Sequence, residues 1–227
     1  TASRLTIVSE TDRHLFHLGT ETTIGNPATQ DPMFIRFSDQ ESTSVYAPTA
    51  TNTAGTFQLD KGNKIVAAVQ GKDYILILTD QAAYIAQFVG PPFTFSIRQV
   101  GTNCGCLGQH AVAFAQGAVY WMGTSGGFFQ YDGTVKQLPC LVEDFVFTTG
   151  DGNLGLNFNA SEIVYAGHNS LYTEVNWFYP KSGSNQIDRV VTYNYGEASW
   201  YTGSLDRTTY QDADVFTAPY ATNYVAP

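Results

Sequence analysis

The chain has 227 residues, of which 14% are charged and 14% aromatic. Globular domains usually carry about 25% charged residues, while disordered chains are rich in charge and poor in aromatics, so disorder and coiled coils are both excluded. Net charge is −9, from 20 acids against 11 bases with no run of three bases, which disfavours a tight grip on phosphate backbones. No apolar run reaches the roughly 18 residues that a membrane-spanning helix needs, so no insertion into a membrane by such a helix is expected.

A chain of this length suits one large all-β domain or two small ones. It opens Thr1-Ala2-Ser3-Arg4 and runs straight into a strand-like segment with no leader pattern and no initiating Met. The expectation is a processed chain or an internal piece of a longer one. Arg13 to Gly19 reads as a strand, and along it His14 and His17 fall on opposite faces. That spacing argues against a shared metal. Thr20 to Pro32 and Asp39 to Gly62 are rich in Thr, Asn, Pro and Gly and read as long loops, of a length usually tied to function or interaction. They are the expected subunit contacts.

From residue 63 onward the dominant period is two. Asp73 to Thr79 is an apolar run bounded by Gly71 and Asp80. Ala83 to Phe88 follows the turn at Asp80-Gln81. Phe93 to Arg98 alternates apolar and polar, as a half-exposed strand does, between Pro91-Pro92 and Gly101. Four short strands follow at 111–115, 119–122, 127–131 and 134–138. Their turns carry Gln116-Gly117, Ser125-Gly126 and Asp132-Gly133, the last a strong tight-hairpin signal. Leu141 to Phe147 after Pro139 suits either one or two helical turns or a strand. Four more strands are expected at 163–166, 173–179, 189–195 and 199–202.

These segments repeat. Val66-Ala67-Ala68-Val69-Gln70-Gly71 lines up with Val112-Ala113-Phe114-Ala115-Gln116-Gly117 at an offset of 46, which also places Tyr74 on Tyr120. A further start at Ile163-Val164-Tyr165-Ala166 lies about 50 residues on. Four short strands per repeat of about 40 to 50 residues mark propeller blades. The fold class expected is all-β, with β-propeller-like repeats of four-stranded antiparallel sheets. The repeats span about 64–101, 109–140 and 162–212 within 63–227, after an N-terminal segment, 1–62, of strands and long loops. That is fewer than the usual four or more blades. Either the chain is an incomplete portion of a longer one or the repeats pack as a sandwich.

Chemistry is sparse. There is no G-x-S-x-G, no Walker A loop and no H-E-x-x-H. Cys104, Cys106 and Cys140 are odd in number and poorly spaced for zinc, and are expected as structural thiols. His110 lies near the first two in sequence, which alone does not make a nucleophile pair. Tyr131-Asp132-Gly133-Thr134 is loosely similar to the Asp-box hairpin of sialidases, but lacks its Ser or Thr two residues before the Asp and its aromatic after the Thr. Glu174, an acid in an aromatic strand, is the one candidate for glycosidase-type acid catalysis. Alternation puts it with Asn176 and Phe178 on one face, where a pairing with Arg189 or Arg207 is the simpler reading. Trp121, Trp177 and Trp200 are candidate sugar platforms, but each also suits a core position. No catalytic residue, cofactor or metal site is assigned.

Several strings resemble phrases of one family. They are Arg36-Phe37-Ser38-Asp39-Gln40-Glu41 with Pro48 to Gly55; Ala118-Val119-Tyr120-Trp121-Met122-Gly123 with Phe129 to Gly133 and Leu138-Pro139-Cys140; Glu174 to Pro180 with Ile187 to Asn194; and Trp200-Tyr201-Thr202-Gly203 before Arg207-Thr208. Over roughly Phe34 to Asp212 the chain resembles the packaged-DNA stabilisation, or tail hub and nozzle, proteins of short-tailed bacteriophages. The resemblance implies a non-enzymatic, propeller-bearing virion subunit, assembled in the host cytoplasm as a six-fold ring below the portal and adaptor, beside other tail proteins. DNA would be passing cargo for it, and an acidic lumen would not hold phosphates. The alternative expectation is a carbohydrate-binding or glycan-cleaving propeller.

Overall fold

The computed structural model describes residues 3–150, 152–213 and 216–222. The chain forms two compact units, Thr1–Gly105 and Cys106–Pro227. Both are built of antiparallel sheets in which chain order equals spatial order. That is the meander expected of propeller-like repeats, each strand turning back on its predecessor through a short connection.

The first unit holds two such sheets. One comprises β1 (Leu5–Ser9), β2 (His14–Leu18), β3 (Phe34–Phe37) and β4 (Gly55–Gln58). The other comprises β5 (Ile65–Gln70), β6 (Ile75–Thr79), β7 (Ala82–Gly90) and β8 (Thr94–Thr102). Residues 1–62 thus supply a full four-stranded sheet. The segment expected as a loop from Asp39 to Gly62 contains β4, whose Gly-Thr-Phe-Gln sequence is too short to announce a strand by periodicity. Phe16, Leu18, Ile35 and Phe37 of the first sheet pack with Ile65, Ile75, Ile77, Tyr84, Phe95 and Ile97 of the second in one core. The continuous apolar run Ile75 to Leu78 is buried on both faces, as a central strand requires.

The long Thr20 to Pro32 connection is ordered from within. Arg36, almost fully buried, donates its guanidinium to the carbonyls of Glu21 (3.0 Å) and Thr22 (2.9 Å). Glu21 in turn accepts the Gly25 amide at 2.6 Å through its carboxylate. The connection from Asp39 is tied by one carboxylate oxygen, which accepts both the amide (2.8 Å) and the hydroxyl (2.6 Å) of Thr53.

The second unit repeats the plan. β9 (Val112–Ala115), β10 (Ala118–Met122), β11 (Phe128–Tyr131) and β12 (Val135–Leu138) form one sheet. β13 (Tyr165–Asn169), β14 (Glu174–Tyr179), β15 (Arg189–Asn194) and β16 (Ser199–Gly203) form the next. Between them lies α1 (Glu143–Phe147), so the helical alternative holds for the segment after Pro139. The strand expected from Ile163 begins at Tyr165 instead. Phe158–Ile163 is wound into 3-10 turns, with the Asn157 side chain accepting the Asn159 amide at 3.1 Å. A hairpin of β17 (Thr209–Gln211) and β18 (Tyr220–Thr222) follows.

The first strands are neighbours within each unit: β1 packs by β5, β9 by β13, and β13 by β17. β17 is fastened there by three contacts. The Tyr165 hydroxyl donates to the Tyr210 carbonyl at 3.4 Å. Asp212 accepts the Ser170 amide on both oxygens, each at 3.1 Å. The Tyr210 ring lies so close over Gly167 that a β-carbon there would come within 2.5 Å of it.

The 46-residue offset aligns the first strands β5 and β9. It does not align Tyr74 with Tyr120. Tyr74 belongs to the turn before β6, closed by the Gly71 amide on its carbonyl at 2.8 Å, whereas Tyr120 lies inside β10.

Candidate interaction surfaces

The tryptophans resolve one question of chemistry. Trp121 and Trp177 are fully buried. Trp177 donates its indole N–H to the Ala111 carbonyl at 3.1 Å and packs on Phe128 at 4.8 Å. Trp200 is half-buried on Phe128 and Tyr193, both at 4.6 Å, and donates to the Pro139 carbonyl at 2.8 Å. Trp121 and Trp177 are core aromatics rather than open platforms, and Trp177 and Trp200 have their indole N–H satisfied.

Glu174 is held by neutral partners. One carboxylate oxygen accepts the Tyr201 hydroxyl, and the other accepts the Asn169 amide at 3.3 Å. The expected pairing with Arg189 or Arg207 does not form. Arg189 lies over the Phe145 ring at 5.7 Å, and Arg207 bonds to Asp206. β14 is a central strand, so Arg189 of β15 sits at the far end of the register, opposite Tyr179 rather than Glu174.

None of the three cysteines is joined in a disulfide; Cys104 and Cys106 are buried and Cys140 is partly so. Burial pushes Cys106 up to about 12, and Cys104 and Cys140 up to about 11, so each is a poor nucleophile near neutral pH. Among the described residues no group of three or more His, Cys, Asp or Glu side chains is placed to hold a metal ion. His110 does not turn to a thiol. It stacks on Tyr165, with ring centroids 5.6 Å apart and planes at 28°.

His14 and His17 face opposite ways on β2, as alternation requires. His17 bonds through Nδ1 to the Thr6 hydroxyl at 3.1 Å and lies against Tyr46. His14 is fully buried beside Phe37, Phe88 and Phe95. Its Nε2 lies 3.1 Å from the Thr53 hydroxyl, which itself donates to Asp39. Nε2 therefore carries the proton and donates. Burial lowers the imidazole pKa, with Asp12 and Asp39 pulling the other way.

Two surface features stand out. The β7–β8 hairpin ends in Phe88, Val89, Pro91, Pro92 and Phe93, all exposed, with Phe93 at 78%. In the second unit a cleft of about 480 Å³ is lined by Ile163, Ile187 and the stacked His110 and Tyr165, together with Glu162, Asn185, Gln186, Thr208 and Thr209. Large apolar side chains are also exposed elsewhere, most completely Leu141, followed by Tyr172 and Phe216, with Leu171 also more than half exposed. No described helix is long and apolar enough to cross a membrane.

No family model matches the chain, and no curated protein matches it. Among solved structures it is similar to an apocarotenoid oxygenase of Synechocystis, at 11% identity and a TM-score of 0.38, over 88% of this chain and 45% of that one. It is also similar to a Bacteroides fragilis protein named as exported, at 8% identity and a TM-score of 0.38, over 88% of this chain and 57% of that one. The chain thus spans about half the length of these two structures, and likeness at this level assigns no chemistry.

Proposed function

We propose that the chain is a non-enzymatic structural subunit of the tail hub or nozzle of a short-tailed phage. It assembles with copies of itself in a ring at the head-to-tail junction and borders the channel through which DNA passes. Portal, adaptor and other tail proteins are its neighbours in this reading. The observation that carries it is the exposure of large apolar side chains on a chain with few charges: Leu141 at 98% and Phe93 at 78%, with Val89, Leu171 and Tyr172 each more than half exposed. Contiguous apolar patches are what monomeric soluble proteins rarely expose and permanent assemblies cover, and Phe88, Val89 and Phe93 share one hairpin tip. The likeness of Arg36 to Glu41, Ala118 to Gly123, Glu174 to Pro180 and Ile187 to Asn194 to phrases of that family supplies the identity of the assembly. The net charge of −9 suits a wall that does not hold DNA.

Native mass spectrometry and negative-stain imaging of the purified chain at micromolar concentration test the reading. Rings are expected. A chain that stays monomeric, and is absent from purified phage particles, overturns it. The rival glycan-binding reading loses two of its three platforms, because Trp121 and Trp177 are buried.

A further inference from the structure

The cleft of the second unit is assembled from stretches of chain that lie far apart in sequence. His110 comes from the turn before β9, Ile163 and Tyr165 from the start of β13, Gln186 from the β14–β15 connection and Thr208 from the approach to β17. Backbone contacts hold these stretches in place. The His110 carbonyl accepts the Ala166 amide at 2.7 Å. Gly108 lies so near the Ser161 carbonyl that a β-carbon there would come within 2.9 Å of it. The Asn157 side chain donates to the Ser184 carbonyl at 2.8 Å. The Ser184 hydroxyl donates to the Gln186 carbonyl at 2.7 Å and accepts the Gln186 amide at 3.1 Å. The walls are therefore fixed from within. By contrast, the side-chain amide of Gln186 and the ring nitrogens of His110 make no hydrogen bond to any described residue. Such a preformed cleft, apolar with a few convergent polar groups, is the usual form of a small-molecule site.

We propose that this cleft binds a neutral saccharide, of the size of a short oligosaccharide. The lining selects that chemistry by exclusion and by fit. It holds no Lys or Arg, so no side chain there pairs with a phosphate, sulfate or carboxylate. A wholly apolar ligand is disfavoured as well. It would strip water from the Glu162 carboxylate, the Asn185 and Gln186 amides and the Thr208 hydroxyl without replacing the lost hydrogen bonds. A sugar ring matches both parts of the lining. Its C–H face packs on Ile163, Ile187 and the Tyr165 ring. Its hydroxyls donate to the carboxylate and amide oxygens and accept from the amide N–H groups. At about 480 Å³ the cleft is within the range, roughly 300–1,000 Å³, of small-molecule pockets. Glu162 is the only carboxylate in the lining, whereas glycoside cleavage ordinarily uses two, so the sugar is bound and not cut. The site uses none of the three tryptophans and does not depend on the ring reading.

The test titrates the full chain, with isotope-labelled isoleucine methyl groups, with maltotriose, lactose, mannotriose and chitotriose, and with sialyllactose as an acidic counterpart. At least one neutral sugar should shift the Ile163 and Ile187 methyl signals in the NMR spectrum and leave those of Ile75 and Ile77, in the first unit, in place. Sialyllactose should shift them less than lactose does. Calorimetry with the most effective sugar should then show at least a tenfold loss of affinity in Gln186→Ala and in Glu162→Ala, and none in Phe93→Ser. Gln186 and Glu162 are exposed, so unchanged melting curves are expected. Should a variant melt early, the methyl shifts of the wild type decide. No methyl shift with any neutral sugar, or an affinity unmoved by both cleft variants, overturns the site. A stronger response to sialyllactose overturns its assignment to neutral sugars. None of these outcomes touches the ring reading, which stands or falls on the oligomeric state of the sugar-free chain.

Discussion

At the scale of residues, position in the register decides what each polar group does. His14 heads β2 with its ring turned inward among phenylalanines, while His17 on the same strand faces outward. An imidazole whose folded pKa lies below its unfolded value of about 6.5 binds more protons unfolded than folded. Its contribution to stability is therefore full above about pH 6.5 and falls as pH drops toward the folded pKa. For His14 the expected outcome is a denaturation midpoint that declines between pH 7.5 and 5.5. His17 and His168 are also lowered by burial and add to that decline. A His14→Gln variant, which keeps a donor toward Thr53, should show a shallower decline than the parent. An equal slope in the two proteins rules out a role for His14. Phe93 teaches a second lesson. Alternation places it with Phe95 and Ile97 on one face, yet it is exposed while they are buried. Thr94 takes a φ of +59°, which reverses the phase of the strand at that point. No periodicity in the side chains records such a backbone turn.

At the scale of elements, strands with an apolar run or a Gly-marked turn were legible, and those without were not. β6, β10, β14 and β15 are apolar enough to be read directly from the sequence, and the Asp132-Gly133 hairpin was marked by its turn residues. β4 and the β17–β18 hairpin were missed because their short, polar, exposed strands carry almost no pattern. What holds β17 in place is long-range: Gly167, Tyr165 and Ser170 on or beside β13 meet Tyr210 and Asp212 more than 40 residues later. Gly167→Ala would drive a methyl group into the Tyr210 ring, and overpacking of this kind costs about 1–3 kcal/mol. Asp212→Ala would leave the Ser170 amide without its acceptor, at a cost of about 1 kcal/mol. Both substitutions should raise amide hydrogen exchange in residues 208–211 and leave β5–β8 unchanged. Protection in 208–211 that is unaltered by either would mean that the hairpin is held by something other than these contacts. The exposed β7–β8 tip and the cleft were equally hidden in the sequence, since the exposure of Phe93 and the cleft lined by Ile163 and Ile187 are properties of the folded surface.

At the scale of the molecule, the shortage of charge and the excess of acid act on different partners. Apolar surface favours contact between copies, while the net charge of −9 opposes it over a range set by salt. Raising ionic strength shortens that range from about 10 Å at 0.1 M to about 3 Å at 1 M. Self-association of the purified chain should therefore strengthen with added sodium chloride. Assembly through opposite charges would weaken instead. The same charge sets the behaviour toward DNA. Proteins that hold a duplex neutralise phosphates with clustered bases, and their affinity falls steeply with salt. With 11 bases among 20 acids and no run of three bases, the sequence carries no such cluster in one stretch. Titration of a fluorescent duplex at about 50 mM salt, where phosphate contacts are strongest, should give no binding at micromolar protein. Retention of the duplex, lost on raising salt to about 200 mM, would show a basic strip formed by the fold and would count against the proposed passive role beside DNA. Running both titrations on one preparation separates the two effects, because salt should promote the protein–protein contact while leaving the DNA signal flat.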